Sequence, residues 1–243
     1  MKQIFFLLSI LVGLSSCTKH IYKVKTETQL YEISNENQLK DTSITSLIAP
    51  YKMALDIEME EQVGYCPKPL TLQQPESTLG NWMADLIQEQ ARKYFRTKID
   101  MAAQNYGSIR IPALPKGYIT RGKIFELMPF ENRMVLLDIK GDVLLKFFNR
   151  MAQAGGWPVS KTVKYKIEHD KAVDIYIGDE KLDLDKIYKL ALPDYIANGG
   201  DNCDFFKGVK RKESPKLVRE AIFEYINNHP KMMAKLEGRV VVK

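Results

Sequence analysis

Histidine is scarce in this chain, and its scarcity removes whole classes of chemistry. Only His20, His169 and His229 occur in 243 residues. None stands in an HxH, HExxH or DxH context, so a histidine-built metal centre is close to excluded and all three read as exposed structural residues. The chain also lacks a GxSxG elbow and the GxxxxGK[ST] and GxGxxG phosphate loops, which argues against self-sufficient catalysis of those kinds. Thirty acidic residues leave a carboxylate-only mechanism open (Asp+Glu 30). Cysteine is as sparse as histidine: Cys17, Cys66 and Cys203 are too few for a disulfide framework. The net charge is +6, but the basic residues form neither an aromatic-interleaved stripe nor a zinc-finger spacing, so no nucleic-acid partner is expected. No fixed-period repeat and no Pro/Gly/Ser linker divides the body of the chain.

What is present begins with an export signal. In "MKQIFFLLSILVGLSSC", Lys2 supplies a positive n-region, Ile4 to Leu14 an apolar h-region and Leu14-Ser15-Ser16-Cys17 a small-residue cleavage site. The h-region is too short for a membrane-spanning helix. Leu-Ser-Ser-Cys resembles the lipobox of bacterial lipoproteins, in which the Cys becomes the lipidated first residue; a plain secretory signal with an incidental Cys is the alternative. On the lipoprotein reading, residues 1–16 are the signal peptide and residues 17–46 a polar tether lipidated at Cys17. The protein is then exported and lipid-anchored at a bacterial cell membrane, on its periplasmic or cell-surface face, since each buried acyl methylene adds about 0.8 kcal/mol. An exported chain permits a Cys66–Cys203 disulfide, and two buried free thiols are an equal alternative.

From about Leu47 the periodicities alternate. "SLIAPYKMALDIEMEEQVG" predicts a helix with Pro50 in its first turn and Met53, Leu55, Ile57 and Met59 as apolar candidates. A second helix carries Leu79, Trp82, Met83, Leu86 and Ile87 on one face, leaves Asp85, Gln88 and Glu89 on the other, and takes Ser77 or Thr78 as its cap. "IDMAAQ" and "RMVLLDIK" suit buried strands, and a helix from about Asp142 to Met151 presents Leu144, Leu145, Phe148 and Met151 to one side. A period of two follows at Val163, Tyr165 and Ile167 and again at Val173, Ile175 and Ile177, a hairpin signal. A strand through Tyr188, Leu190 and Leu192, a last helix with Ser214 as N-cap and Pro215 at N1, and the strand "RVVVK" complete the reading. Hairpins require antiparallel neighbours, so the expected class is α+β: a single domain over residues 47–243, with a mixed or antiparallel sheet packed by helices.

Three ordered stretches carry a resemblance. "ESTLGNWMADLI" (Glu76 to Ile87), "NYGSIRIPALPKGYITRGKIFELMPFENRMVLLDIKGDVLLKFF" (Asn105 to Phe148) and "LPDYIANGGDNCDFF" (Leu192 to Phe206) resemble the C-terminal domain of bacterial and animal 5'-nucleotidases. That family shows an "LGNLxAD" helix, an "N-x-G-x-I-R" turn, a "PF-x-N" segment and a "GGD" loop. The resemblance implies that Phe130 and Tyr195 sandwich a base, that Asp201 accepts from ribose hydroxyls, that Asn132 bonds the base edge with a backbone contact from Gly156 nearby, and that Arg110 contacts phosphate. The chemistry suits those residue types. Aromatic faces stack any base, a carboxylate is purely an acceptor, and a guanidinium grips two phosphate oxygens at once. Without the resemblance, Phe130 and Tyr195 read as core aromatics, Arg110 as a surface ion-pair partner and Asp201 as a turn cap.

The departures carry expectations too. Whole members of the family begin with a metallophosphatase domain holding two metals, which this sequence does not show. Where some members have further phosphate-binding arginines, before the "LGN" helix, this chain has Gln73 and Gln74. The expectation is therefore a stand-alone recognition domain with no catalytic residue and no cofactor of its own. Divalent metals belong to a metallophosphatase partner acting in trans, and the small-molecule partner is a nucleotide or nucleoside. The alternative is a non-catalytic nucleoside- or nucleotide-binding surface lipoprotein.

Overall fold

In "RMVLLDIK" the four residues Met134 to Leu137 are apolar without a break, the pattern of a strand covered on both faces, and its surroundings bear this out. The computed structural model describes residues 28–30 and 42–243. The signal peptide, Cys17, His20 and most of the tether lie outside the described residues. In chain order the elements are α1 (Thr42–Met59), β1 (Gln62–Cys66), β2 (Leu70–Thr71), α2 (Thr78–Phe95), β3 (Met101–Ala102), β4 (Ala113–Leu114), β5 (Gly117–Thr120), α3 (Arg121–Leu127), β6 (Arg133–Lys140) and α4 (Gly141–Gln153). They continue with β7 (Val163–Glu168), β8 (Lys171–Ile177), β9 (Glu180–Lys181), β10 (Ile187–Pro193), α5 (Asp194–Ala197), β11 (Arg211–Leu217), α6 (Val218–Asn228) and β12 (Val240–Val242).

Two mixed sheets form the frame. One has the order β11-β6-β10-β3, antiparallel except for the parallel pair β10–β3; the other has the order β12-β7-β8-β9, with β12 parallel to β7. The fold is α+β, as the hairpin signals require. Strand β6 separates two cores. Val135, Leu137 and Ile139 face a cluster with Leu144, Phe147, Phe148 and Met151 of α4 and with Val163, Tyr165 and Ile167 of β7. Met134 and Leu136 face the other cluster, with Leu79, Met83, Leu86 and Ile87 of α2 and Val218, Ile222 and Ile226 of α6. Each such fully buried side chain adds about 1.5–3 kcal/mol.

The "LGN" helix motif has a structural role here. Ser77 caps α2 by accepting from Gly80 N at 3.1 Å. A Cβ on Gly80 would lie 2.8 Å from the Pro158 ring. Asn81 donates to Glu76 at 2.6 Å and to the Lys235 carbonyl at 2.9 Å, and Glu76 accepts from the backbone N–H of Glu237 and Arg239. One helix start thus holds the C-terminal segment that leads into β12.

Four local expectations need correction. Pro50 lies inside α1 rather than in its first turn, and α1 buries no side chain; Met53, Leu55 and Ile57 alternate as in a strand, so no single helical face collects them. Gln88 is buried rather than outward-facing, because its amide donates to the Ile99 carbonyl at 3.2 Å and to Thr162 at 2.9 Å. In β8, Lys164 pairs with Tyr176 but Lys166 with Val173, so Asp174, at φ 48°, is an extra residue and Ala172 rather than Val173 turns inward. Ser214 and Pro215 belong to β11, where Ser214 is buried. The ladder to β6 runs on to Leu217, which caps α6 with its N–H given to Glu220 at 2.7 Å.

Cys66 and Cys203 are free and buried. Burial pushes their thiols up from 9.0, to about 11 and about 12, and burial shifts Tyr94, Tyr165 and Tyr225 upward as well. A folded pKa above the unfolded value means that the native state holds the proton more tightly. The stability this contributes is complete below the unfolded pKa and is lost as pH rises through the folded one. The urea midpoint should therefore fall steadily from about pH 9 to about pH 12; a flat midpoint across that window would refute the assignment of both thiols as buried and protonated.

Candidate functional site

The pairing of the first sheet decides where the loops meet. Strands β3 and β10 run parallel and β6 antiparallel to β10, so the segments after β3 and β10 and the segment before β6 emerge at one end. At that end lies a cleft of about 450 Å³ lined by Asn105, Gly107, Ser108, Arg110, Phe130, Asn132, Tyr195 and Asp201. Its size falls in the range of small-molecule sites, roughly 300–1,000 Å³.

The "GGDN" loop is shaped around one ring. Gly199 takes φ +93°, and Asp201 and Asn202 follow with φ 50° and 62°, a left-handed pair that Asp and Asn tolerate better than other side-chain-bearing residues. A Cβ on Gly200 would stand 2.5 Å from Cε1 of Tyr195, so only glycine lets the loop close onto that ring. Tyr195 Oη donates to Asp201 Oδ1 at 3.1 Å, Asn105 Nδ2 donates to Asp201 Oδ2 at 2.7 Å, and Arg150 Nε donates to the Asp201 carbonyl at 2.6 Å. Phe206, buried against Phe147 with ring centroids 5.1 Å apart, anchors the far side of the loop. Phe130 is held from behind, since Arg219 Nη1 donates to the Met128 and Phe130 carbonyls at 3.1 and 3.3 Å. The Arg110 guanidinium carbon sits 5.8 Å from the Phe130 ring centroid, and its Nη1 donates to the Gly107 carbonyl at 3.2 Å. Phe130 and Tyr195 are 38% and 44% exposed, so neither ring is sealed in the core. Chemically, the cleft offers two aromatic faces, a carboxylate with lone pairs to spare, a guanidinium and two carboxamides.

A model of the family described as 5'-nucleotidase, C-terminal domain, matches residues 62–208, more than half of the chain. The chain belongs to that family. A 5'-nucleotidase of Vibrio parahaemolyticus is 32% identical over 110 residues, covering 44% of this chain and 20% of the relative. The 5'-nucleotidase of Mus musculus is 27% identical over 239 residues, covering 85% and 41%. Among solved structures, the 5'-nucleotidase precursor of Thermus thermophilus superposes with a TM-score of 0.73 at 27% identity, over 84% of this chain and 43% of that one. The chain thus spans less than half the length of each of these relatives.

Within this 5'-nucleotidase C-terminal domain, Phe130, Tyr195, Asp201, Asn132 and Arg110 stand together around the cleft. Gly156 does not line it. With φ +101°, Gly156 packs against the Gln74-Pro75 segment, where a Cβ would lie 2.7 Å from the Pro75 carbonyl oxygen, and Gln74 Nε2 donates to its carbonyl at 2.9 Å. Gln74 clasps the turn at Ala154–Gly156 through its side-chain amide. Sequence reasoning missed Asn105, Gly107 and Ser108 as lining residues, although the "N-x-G-x-I-R" turn contains all three. Among the described residues no group of three or more His, Cys, Asp or Glu is placed to hold a metal ion.

Gly200→Ala should displace the Tyr195 ring. Overpacking of this kind costs typically about 1–3 kcal/mol, so thermal unfolding should move down by several degrees. A melting curve matching that of the unsubstituted protein would show that the loop has room the geometry denies it.

Proposed function

We propose that the cleft clamps the base of a nucleoside or nucleotide between Phe130 and Tyr195. Asp201 accepts from the ribose hydroxyls, Asn132 meets the base edge and Arg110 meets phosphate. In this reading the chain is the recognition component of a 5'-nucleotidase-type phosphoesterase in nucleotide catabolism. It is exported and held at a membrane through lipid on Cys17, and a separate metallophosphatase polypeptide supplies the hydrolysis. The observation that carries the reading is the pairing of two half-exposed rings with a carboxylate already oriented by Tyr195 and Asn105 at the same cleft. Family membership supports a nucleotide-related ligand. Metal-assisted activation of water is the chemistry such a partner would bring.

The test is to mix the purified chain with exported metallophosphatases from the same cell and to follow phosphate release from AMP. The right partner should turn over faster with the chain present, and faster by less when Tyr195 is replaced by Ala. No change with any such partner would count against the two-component account.

A specific observation favours a second reading. Among the described residues that line the cleft, Arg110 is the one cation and Asp201 the one carboxylate, so the lining itself carries no net charge to attract a phosphate dianion. A non-catalytic nucleoside-binding lipoprotein would have such a site. Calorimetry separates the two: a pure binder holds adenosine well without a partner, whereas half of a two-component enzyme gains affinity when its other half is added.

A further inference from the structure

Behind the cleft the hydrogen bonds run in one direction, and that direction leaves a buried group unpartnered. A carboxylate only accepts, so Asn105 must present its NH2 to Asp201 Oδ2, and does so at 2.7 Å. That choice turns Asn105 Oδ1 inward. Gln104 then has to meet it with a donor, and its Nε2 does so at 3.2 Å while also donating to Ser108 Oγ. Ser108 in turn donates to the Asn105 carbonyl at 2.9 Å. All donor capacity of the Gln104 amide is thereby committed to Asn105 and Ser108, and Gln104 Oε1 is left buried with no hydrogen-bond partner among the described residues. The residue is 0% exposed. Turning the amide round would satisfy Oε1 only by setting two oxygens against each other at Asn105. Most buried polar groups are satisfied, and an exception in a site marks a network kept for its geometry rather than its stability.

We propose that Gln104 is a positioning residue. Its buried amide fixes the rotation of the Asn105 carboxamide so that the NH2 faces Asp201, and through Asn105 it holds the Asp201 carboxylate where the hydroxyls of a ligand meet it. The consequence for binding rests on the nucleoside reading above; the orientation of Asn105 does not. The inference also explains why a polar side chain occupies a place with no access to solvent.

Gln104→Met tests it, because Met keeps the length and removes the amide. One unpartnered acceptor, Gln104 Oε1, is exchanged for another, Asn105 Oδ1, so the melting temperature should stay within about 2 °C. In the full chain without ligand, exchange of the Asn105 side-chain NH2 protons, followed by NMR, should speed up about fivefold, the effect of losing one ordinary hydrogen bond. The preference for adenosine over 2',3'-dideoxyadenosine should fall by a similar factor, about fivefold. Unchanged Asn105 exchange overturns the proposal, and so does a lowered melting temperature with the diol preference intact, since that is what a merely structural residue would give. If the Asn105 protons speed up while neither nucleoside binds even the unsubstituted protein, the positioning role stands and the nucleoside reading fails. Should Gln104→Met not fold, Gln104→Asn, one methylene shorter, withdraws the amide from Asn105 and carries the same expectations.

Discussion

Replacing Phe130 and Tyr195 together by Ala should weaken adenosine binding by about 100-fold or more while leaving the fold intact. A base stacked on an aromatic ring gains about 1–3 kcal/mol per alanine substitution, and two rings acting on opposite faces make a loss of about 3 kcal/mol reasonable, which is roughly two decades in Kd. Stability should hardly move, because the rings are 38% and 44% exposed and stand outside both core clusters. Each single variant should lose less than the pair. Calorimetric titration gives the affinity and thermal melting the control. Equal affinity in the double variant would mean that the cleft does not clamp a base, and a collapsed melting curve would mean that the rings are packing residues after all.

The second large effect concerns stability. Arg239 is 3% exposed and makes a bidentate pair with Asp85, at 2.9 and 2.7 Å; Nη2 and Nε also donate to Glu237 at 2.6 and 3.0 Å, and Nη1 to the Val159 carbonyl at 2.9 Å. Removing the guanidinium leaves Asp85 and Glu237, 26% and 31% exposed, without their cation, at a cost near the lower end for a broken buried pair, about 3 kcal/mol. Arg239→Met should therefore lower the urea unfolding free energy by about that amount. Part of the loss should return when Asp85 is replaced by Leu in the same chain, since one of the two carboxylates left without their cation is then removed and Glu237 remains. A loss below about 1 kcal/mol would place the pair with ordinary surface bridges and remove the account of how the C-terminal strand is held.

How much of this was legible in the sequence follows from the range of the forces involved. The buried strand "RMVLLDIK" and the apolar faces of α2 and α4 were readable because burial on one or both faces repeats with the period of the element. The α6 start was misread because Ser214-Pro215 is a good local helix signal, and the pairing of β11 with β6, which the local residues do not encode, overrides it. The same holds for Gln88, whose partners Ile99 and Thr162 are brought to it only by tertiary packing. At the cleft, Phe130, Tyr195 and Asp201 came from ordered motifs rather than from periodicity. Asn105 was passed over because its meaning lies in a contact with a residue 96 positions away. Gly156 is a like case: its glycine is required by the close approach of Pro75, distant in sequence, a packing reason that sequence alone does not distinguish from a ligand contact.

The central claim is that a flat heterocycle sits between residues 130 and 195 with its sugar on Asp201. A crystal structure of the protein soaked with adenosine tests it most directly. The account predicts the purine between the two rings and the ribose hydroxyls within hydrogen-bond distance of the Asp201 carboxylate. An empty cleft at saturating adenosine, or the nucleoside bound on another face of the molecule, would contradict it.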